Sequence, residues 1–217
     1  MNSQRDQQLD NKVMNIIIPL INAAKFARSN KDLPALIRQS EDTADYAIGN
    51  PIYLLGQIIR NIWIPSDHKY ITDKAKEKWD QITNNVIDDL SYREKVVCEH
   101  NDVIIKEYIG NSKNGKGRTL NAGDSFIYRD VFHDEHIVPI SDIIDKLMDL
   151  DEPNCENVNE ILDMICICKM LKEEDRKIYP KYHRLNEEIT NADDVINIIY
   201  DKARIKASKL NEAGTNK

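Results

Sequence analysis

Four titratable side chains stand side by side in the stretch YRDVFHDEHIVPISDII: His133, Asp134, Glu135 and His136. The residues before them alternate between apolar and polar, as in a β-strand, and successive side chains of a strand point to opposite faces. A half-buried strand would therefore turn one or two of these groups toward the core, where burying a charge is costly. Either this end of the strand stays hydrated or it binds a cation.

The sequence EHIVPIS ends this strand and is followed by Asn157, Asn159 and a helical segment. This order resembles the HNH, or ββα-metal, nuclease finger. That finger has an acidic residue before a histidine, an aliphatic residue, a variable position and a proline, then a central asparagine, then a metal-binding histidine or asparagine on a closing helix. The resemblance covers about residues 124–178. It implies a metal-dependent endonuclease that hydrolyses phosphodiester bonds in DNA with Mg²⁺ or Mn²⁺.

The resemblance also implies roles for individual residues. His136 would be the general base, because an imidazole takes up a proton near neutral pH. Glu135 or Asp134 would hold the divalent cation against the scissile phosphate. Asn157 or Asn159 would orient the base histidine or fix the loop.

The geometry of an extended strand constrains these roles. Glu135 and His133 would share one face, while Asp134 and His136 would share the other. A turn or bulge near Glu135 is therefore needed if Glu135 and His136 are to act on the same phosphate. His133 would be a second metal ligand or a phosphate contact.

The closing helix departs from the family pattern. The segment MICICKMLKEEDRKI contains neither histidine nor asparagine. Glu173, Glu174 or Asp175 could supply an oxygen ligand instead, and Lys172 or Arg176 could contact phosphate.

A local basic region precedes the histidine cluster, although the formal net charge of the chain is −7. An acidic chain does not coat nucleic acid nonspecifically, but a local basic groove remains compatible with it. We predict nucleic-acid contacts from Lys113, Lys116, Arg118 and Arg129. The first three lie in or beside a glycine-containing loop whose backbone amides could approach a phosphate. A solvated turn is the alternative interpretation of this loop.

The remaining composition points to a protein of the cytoplasm. No apolar run approaches the roughly 18 residues of a membrane span, and the segment MNSQRDQQLDNK has no signal-peptide pattern. The cysteines lack the paired spacing of a zinc site, so we expect reduced thiols and no structural zinc. They are Cys98, Cys155, Cys166 and Cys168.

Hydrophobic periodicity predicts an α+β chain that is predominantly helical. Residues 1–95 are predicted to form a helical region, in which Pro19 kinks or restarts the first helix. Residues 96–210 are predicted to form an HNH-like nuclease unit with a β-hairpin and a helix. Residues 193–209 are predicted as a last amphipathic helix, and residues 211–217 as a frayed tail.

Two other functions remain open from the sequence. The missing histidine or asparagine of the closing helix favours a non-enzymatic, acidic helical interaction protein with an inactive HNH-like scaffold. A different metallohydrolase could use His133, His136 and a distant carboxylate, and tight zinc binding would indicate it. A restriction-type enzyme that cuts both DNA strands would need two active sites, so we expect a homodimer in that case.

Overall fold

The computed structural model describes residues 3–29, 51–62, 64, 68–87, 90–110, 112, 114–182 and 191–210. The chain divides into two compact units. The first unit comprises Met1–Trp63 and Val138–Ile165, and the second comprises Ile64–Ile137 and Cys166–Lys217.

Strands occur from residue 69 onward, interspersed with helices. The helices are α1 (Ser3–Ser29), α2 (Pro51–Arg60), α3 (Asp73–Ile82), α4 (Tyr128–Val131), α5 (Ile140–Asp149), α6 (Cys155–Leu162), α7 (Lys172–Tyr182) and α8 (Ala192–Val195), which continues into a π-helical turn (Ile196–Tyr200). The strands are β1 (Lys69–Thr72), β2 (Lys95–Val97), β3 (Val103–Glu107), β4 (Lys116–Leu120), β5 (Ser125–Ile127), β6 (Phe132–His136), β7 (Ile167–Leu171) and β8 (Ala207–Lys209).

The described part of the first unit is helical. Helix α1 buries one stripe of side chains spaced three or four residues apart, as expected for a helix with one apolar face: Met14, Ile17, Ile21, Ala24 and Ala27. This helix packs against α2, α5 and α6. The unit therefore joins the N-terminal helices to two helices that come much later in the sequence.

The second unit is built on a four-stranded sheet with the strand order β6-β7-β1-β8. Strand β7 runs antiparallel to β6 and parallel to β1, and β1 runs antiparallel to β8. Two separate two-stranded pairs, β2 with β5 and β3 with β4, accompany this sheet. The indole of Trp79 in α3 meets the ring of Phe132 edge-on at 5.6 Å between centroids, which places α3 on the Phe132 face of β6.

An aromatic cluster forms the centre of the second unit. Tyr128 and Phe132 are fully buried and stack at 5.2 Å, and Phe126 and Trp79 pack around them. Each such ring pair contributes about 0.5–1.5 kcal/mol beyond the burial of its surface. The cluster therefore anchors the start of β6, the strand that carries the titratable residues.

The predicted mixture of helix and strand is confirmed, but the division of the chain differs from the predicted boundary after residue 95. Strand β1 lies inside the region predicted to be helical, and it pairs with β7 and β8. Pairing with strands far away in sequence outweighs the local helical pattern of the residues around β1. Helices α5 and α6 belong to the first unit rather than to a continuous unit over residues 96–210.

Three further local predictions can be compared with the structure. Helix α1 continues through Pro19. Proline has no N–H to donate to the carbonyl of Asn15, and because Asn15 and Pro19 are both exposed, that carbonyl lies on the hydrated side of the helix. The helix predicted over residues 193–209 is replaced after Lys202 by a turn and β8, which pairs with β1. The predicted tail over residues 211–217 lies outside the described residues.

No helix in the described parts of the chain is long and apolar enough to cross a membrane. All four cysteines are free, and Cys155 alone among them is exposed.

Replacement of Phe132 by alanine tests the importance of the aromatic cluster. We expect Phe132→Ala to lower the free energy of unfolding by about 3–5 kcal/mol, because a fully buried ring leaves a cavity. Urea denaturation followed by tryptophan fluorescence measures this change. Val86→Ala, at a residue that is 78% exposed, is the control and should change stability by less than about 0.5 kcal/mol. A similar small effect for Phe132→Ala would contradict the proposed core.

Candidate metal centre

The pairing of β6 with β7 fixes the direction of each titratable side chain. The register runs without interruption from Phe132 opposite Leu171 to His136 opposite Ile167. The turn or bulge near Glu135 that cooperation between Glu135 and His136 would require is therefore absent from β6. Because the strand is regular, Glu135 and His136 point to opposite faces of the sheet and do not converge on one ion.

One face of β6 carries a cluster of three possible metal ligands. His133 Nε2 lies 3.0 Å from Glu135 Oε2, and Asp175 approaches them from the first turn of α7. One ligand atom from each residue lies within 4.8 Å of the other two, and all three residues are partly buried. Protein ligands bind divalent cations at about 2.0–2.6 Å, so ligand atoms at these separations can share one ion. Among the described residues, this is the one group of three with that geometry.

Glu174 positions the turn of α7 that carries Asp175. Its Oε2 accepts a hydrogen bond from the Leu171 backbone N–H at 3.1 Å and one from the Thr72 hydroxyl at 2.6 Å. A glutamate in the first turn that reaches back to the residue before the helix is a common N-terminal cap. Burial raises the pKa of Glu174 above its ordinary value, and these two hydrogen bonds act in the opposite direction. Glu174 is therefore a positioning residue of the helix start.

The charges and the burial of the cluster shift the pKa of its members. Burial disfavours the charged imidazole of His133, but the hydrogen bond to Glu135 and the negative charges of Asp175, Glu135 and Asp134 outweigh it and raise the pKa of His133 above 6.5. Burial raises the pKa of Asp175 above 3.8, and the charge of Glu135 adds to the rise, while His133, Arg176 and Lys172 oppose it. The two acids therefore share the positive charges of one imidazole and two nearby cations.

The opposite face of β6 engages Asp134 in a different interaction. Asp134 Oδ1 accepts hydrogen bonds from the Tyr128 hydroxyl at 2.8 Å and from Lys169 Nζ at 3.3 Å. The Lys169 side chain is 4% exposed, and its ammonium lies 5.4 Å from the centre of the Tyr128 ring. Burial raises the pKa of Tyr128 well above its ordinary value, and the charge of Asp134 adds to this rise. The alternation of the strand thus separates Asp134 from His133 and Glu135, and its carboxylate neutralises a buried lysine.

The two asparagines predicted to orient the base lie in α6, in the first unit. The side chain of Asn157 forms a capping box with Asn154, and its Nδ2 donates to the Glu152 carbonyl at 3.1 Å. Asn157 therefore stabilises the start of α6, whereas Asn159 is exposed. The proposed interaction of either residue with His136 stays a prediction.

The residues predicted to contact nucleic acid are spread over several elements. Lys116 and Arg118 lie on β4 and are exposed, and Arg118 Nη1 lies 3.1 Å from Glu107 Oε1. Arg129 lies in α4, with its guanidinium 5.8 Å from the centre of the Tyr92 ring. Lys113 lies outside the described residues.

Two cations of α7 lie beside Asp175. Lys172 Nζ donates to the Tyr108 carbonyl at 3.3 Å. The Arg176 guanidinium lies 4.2 Å from the centre of the Tyr108 ring and donates to the Ser112 carbonyl at 2.9 Å. Burial lowers the pKa of Lys172, and the nearby Asp130 opposes this change. Lys172 and Arg176 are four residues apart. Residues three and four apart share one face of a helix, so the sequence itself indicates that these two cations lie together.

Comparison of the chain with protein-family models, with curated proteins and with solved structures gives no match.

The raised pKa of His133 provides a test of the cluster without a metal. We expect an NMR titration of the imidazole to give a pKa above 6.5, and Asp175→Asn to lower it by removing a nearby negative charge. Because the pKa is higher in the folded state, the associated stability is fully present below about pH 6.5 and is lost as the pH rises through the folded pKa. Asp145→Asn, in the first unit, is the control. An unchanged His133 pKa in Asp175→Asn would show that the two side chains are apart in solution.

Proposed function

We propose that the chain is a metal-dependent endonuclease that hydrolyses phosphodiester bonds of DNA. The observation that carries the proposal is the convergence of His133, Glu135 and Asp175, whose ligand atoms lie within 4.8 Å of one another. These residues would hold Mg²⁺ or Mn²⁺. The two carboxylates suit either ion, because carboxylate oxygens are typical ligands of both Mg²⁺ and Mn²⁺.

The proposed chemistry assigns a task to each residue. A divalent ion at this position would lower the pKa of a bound water and neutralise charge on the phosphate. Glu135 and Asp175 provide the oxygen atoms that hold it, and His133 provides the nitrogen. His133 must lose its proton to bind, so ion binding and deprotonation of His133 are coupled. His133 thus replaces His136, which faces the other side of β6, as the histidine of the centre.

The charges around the cluster support an anionic substrate. Lys172 and Arg176 flank Asp175 on α7, and both are anchored to backbone carbonyls of the segment that follows β3. Arg129 adds a third positive charge near Lys172. Cations of this kind hold a phosphate backbone without reading its sequence. Cleavage of both strands of a duplex would require two centres, which supports a homodimer as part of the proposal.

An inactive interaction protein is the second candidate. His133 and Glu135 are already paired at 3.0 Å, and such a pair can be purely structural. Cleavage and metal binding distinguish this candidate from the enzyme, because a scaffold protein has neither.

A plasmid-nicking assay with Mg²⁺ or Mn²⁺ tests the proposed activity. We expect conversion of supercoiled to open-circular DNA, which EDTA abolishes. Asp175→Asn, Glu135→Gln and His133→Ala should each lower the rate by about 100-fold or more, the order seen when a group that stabilises the transition state is removed.

Matched variants on other surfaces serve as controls for this assay. Glu77→Gln removes an exposed carboxylate of α3, and His100→Ala removes a histidine outside the cluster. Both should retain the wild-type rate. His136→Ala compares the two histidines directly. A larger loss of the nicking rate than in His133→Ala would show that the centre lies on the other face of β6. Absence of nicking by the folded protein with either ion would favour the interaction protein.

The salt dependence of DNA binding tests the roles of Lys172 and Arg176. If each neutralises one phosphate, Lys172→Ala and Arg176→Ala should each reduce the slope of log affinity against log salt by about one. Fluorescence anisotropy with a labelled duplex in EDTA measures this slope. Lys146→Ala, in α5 of the first unit, is the control and should leave the slope unchanged. Unaltered slopes in the α7 variants would exclude them as phosphate contacts.

A further inference from the structure

A cavity of about 360 Å³ lies within the second unit. This volume is within the range of about 300–1,000 Å³ found for small-molecule sites. Much of its wall is apolar and is formed by Ile104 and Ile105 of β3, Val131 of α4 and Leu171 of β7. The cavity is thus large enough and apolar enough to take up a flat organic group.

Polar groups line the cavity together with the ring of Tyr108. Lys106 Nζ lies 3.9 Å from Glu173 Oε2 and 5.5 Å from the centre of the Tyr108 ring. Lys78 Nζ donates to the Ile104 carbonyl at 2.8 Å. Two ammonium groups against one carboxylate give the lining a net positive charge. An aromatic ring and cations beside an apolar wall suit a flat ligand that carries a negative charge.

Tyr108, which lines the cavity, contacts two cations of α7. Glu173, which lines the cavity, precedes Asp175 by two residues in the first turn of α7. Arg176 stacks on the Tyr108 ring, and Lys172 donates to the Tyr108 carbonyl. The cations that would hold a phosphate near Asp175 therefore contact the aromatic residue of the cavity.

We propose that the cavity binds the base of a nucleotide of the DNA substrate. The inference rests on the proposed endonuclease function and identifies the part of the substrate that the second unit would bind. A nucleobase is flat, has apolar faces and carries polar edges. Ile104, whose side chain is 66% exposed, would contact one of its faces, while Lys78, Lys106 and Glu173 meet its edges.

Gly117 offers a way to close the cavity. It pairs with Lys106 across β3 and β4, so the two positions share one face of the strand pair, and both line the cavity. A Cβ atom at Gly117 would meet no other atom within 4 Å. A larger side chain at this position would therefore extend into open space and exclude a ligand without displacing the backbone.

The test is a fluorescence titration of the full chain in EDTA with 2-aminopurine deoxyribonucleoside 5′-monophosphate. EDTA removes any dependence on the metal centre. We expect saturable quenching, and Gly117→Phe should weaken binding by about tenfold or more, the order expected for lost base stacking. Ala122→Phe adds the same side chain at an exposed turn after β4 and should leave binding unchanged. Circular dichroism checks the fold of each variant.

A second variant covers the case in which Gly117→Phe does not fold. Lys106→Glu reverses a charge on a side chain that is 52% exposed, so it should fold and bind the nucleotide more weakly. The proposal is overturned if wild-type quenching does not saturate, or if folded Gly117→Phe binds like the wild type. It is also overturned if 2-deoxyribose 5-phosphate competes as well as the complete nucleotide, because the site would then recognise the anion alone.

Failure of this inference can be told apart from failure of the proposed function. Nucleotide binding that Gly117→Phe blocks, in a protein that nicks no plasmid with either metal, would support the cavity and reject the nuclease. Nicking without nucleotide binding would support the nuclease and reject the cavity.

Discussion

The antiparallel pairing of β6 with β7 is the constraint on which the arrangement of the second unit depends. Five consecutive residue pairs leave no bulge, so the side chains of β6 alternate strictly between the two faces of the sheet. His133 and Glu135 are thereby directed toward α7, while Phe132 and Asp134 face Trp79, Tyr128 and Lys169. A shift of the register by one residue would exchange these two sets and bury the wrong charges.

The two faces use their charges in different ways. On one face, Asp134 neutralises the buried Lys169 next to an aromatic cluster, and removal of either partner would leave an uncompensated buried charge. On the other face, two carboxylates and one imidazole lie together, and the charges of Lys172 and Arg176 act on Asp175. The first arrangement pairs one carboxylate with one buried lysine, whereas the second brings two carboxylates to one imidazole. This difference favours the His133 face as the place for chemistry.

Helix α7 links the candidate centre to its surroundings. Glu174 fixes its first turn through Thr72 and Leu171, and this turn carries Asp175 toward β6 and Glu173 toward the cavity. Lys172 and Arg176 tie the same helix to Tyr108 and Ser112. The proposed contacts with the metal, the phosphate and the base therefore all involve one helix start, where Glu174 caps the backbone N–H of Leu171.

The sequence by itself determined the mixed helix and strand content, the strand that carries His133 and Glu135, their common face, and the basic stretch before them. These features follow from local periodicity and residue type, which a short segment contains in full. Only the tertiary structure decided that Asp175, rather than Glu173 or Glu174, joins the cluster. It also decided that Asp134 accepts a hydrogen bond from Lys169. It also showed that no turn brings Glu135 and His136 together. These contacts depend on the register between β6 and β7 and on residues that follow β6 by 30 or more positions. The sequence of a short segment does not encode such long-range pairings.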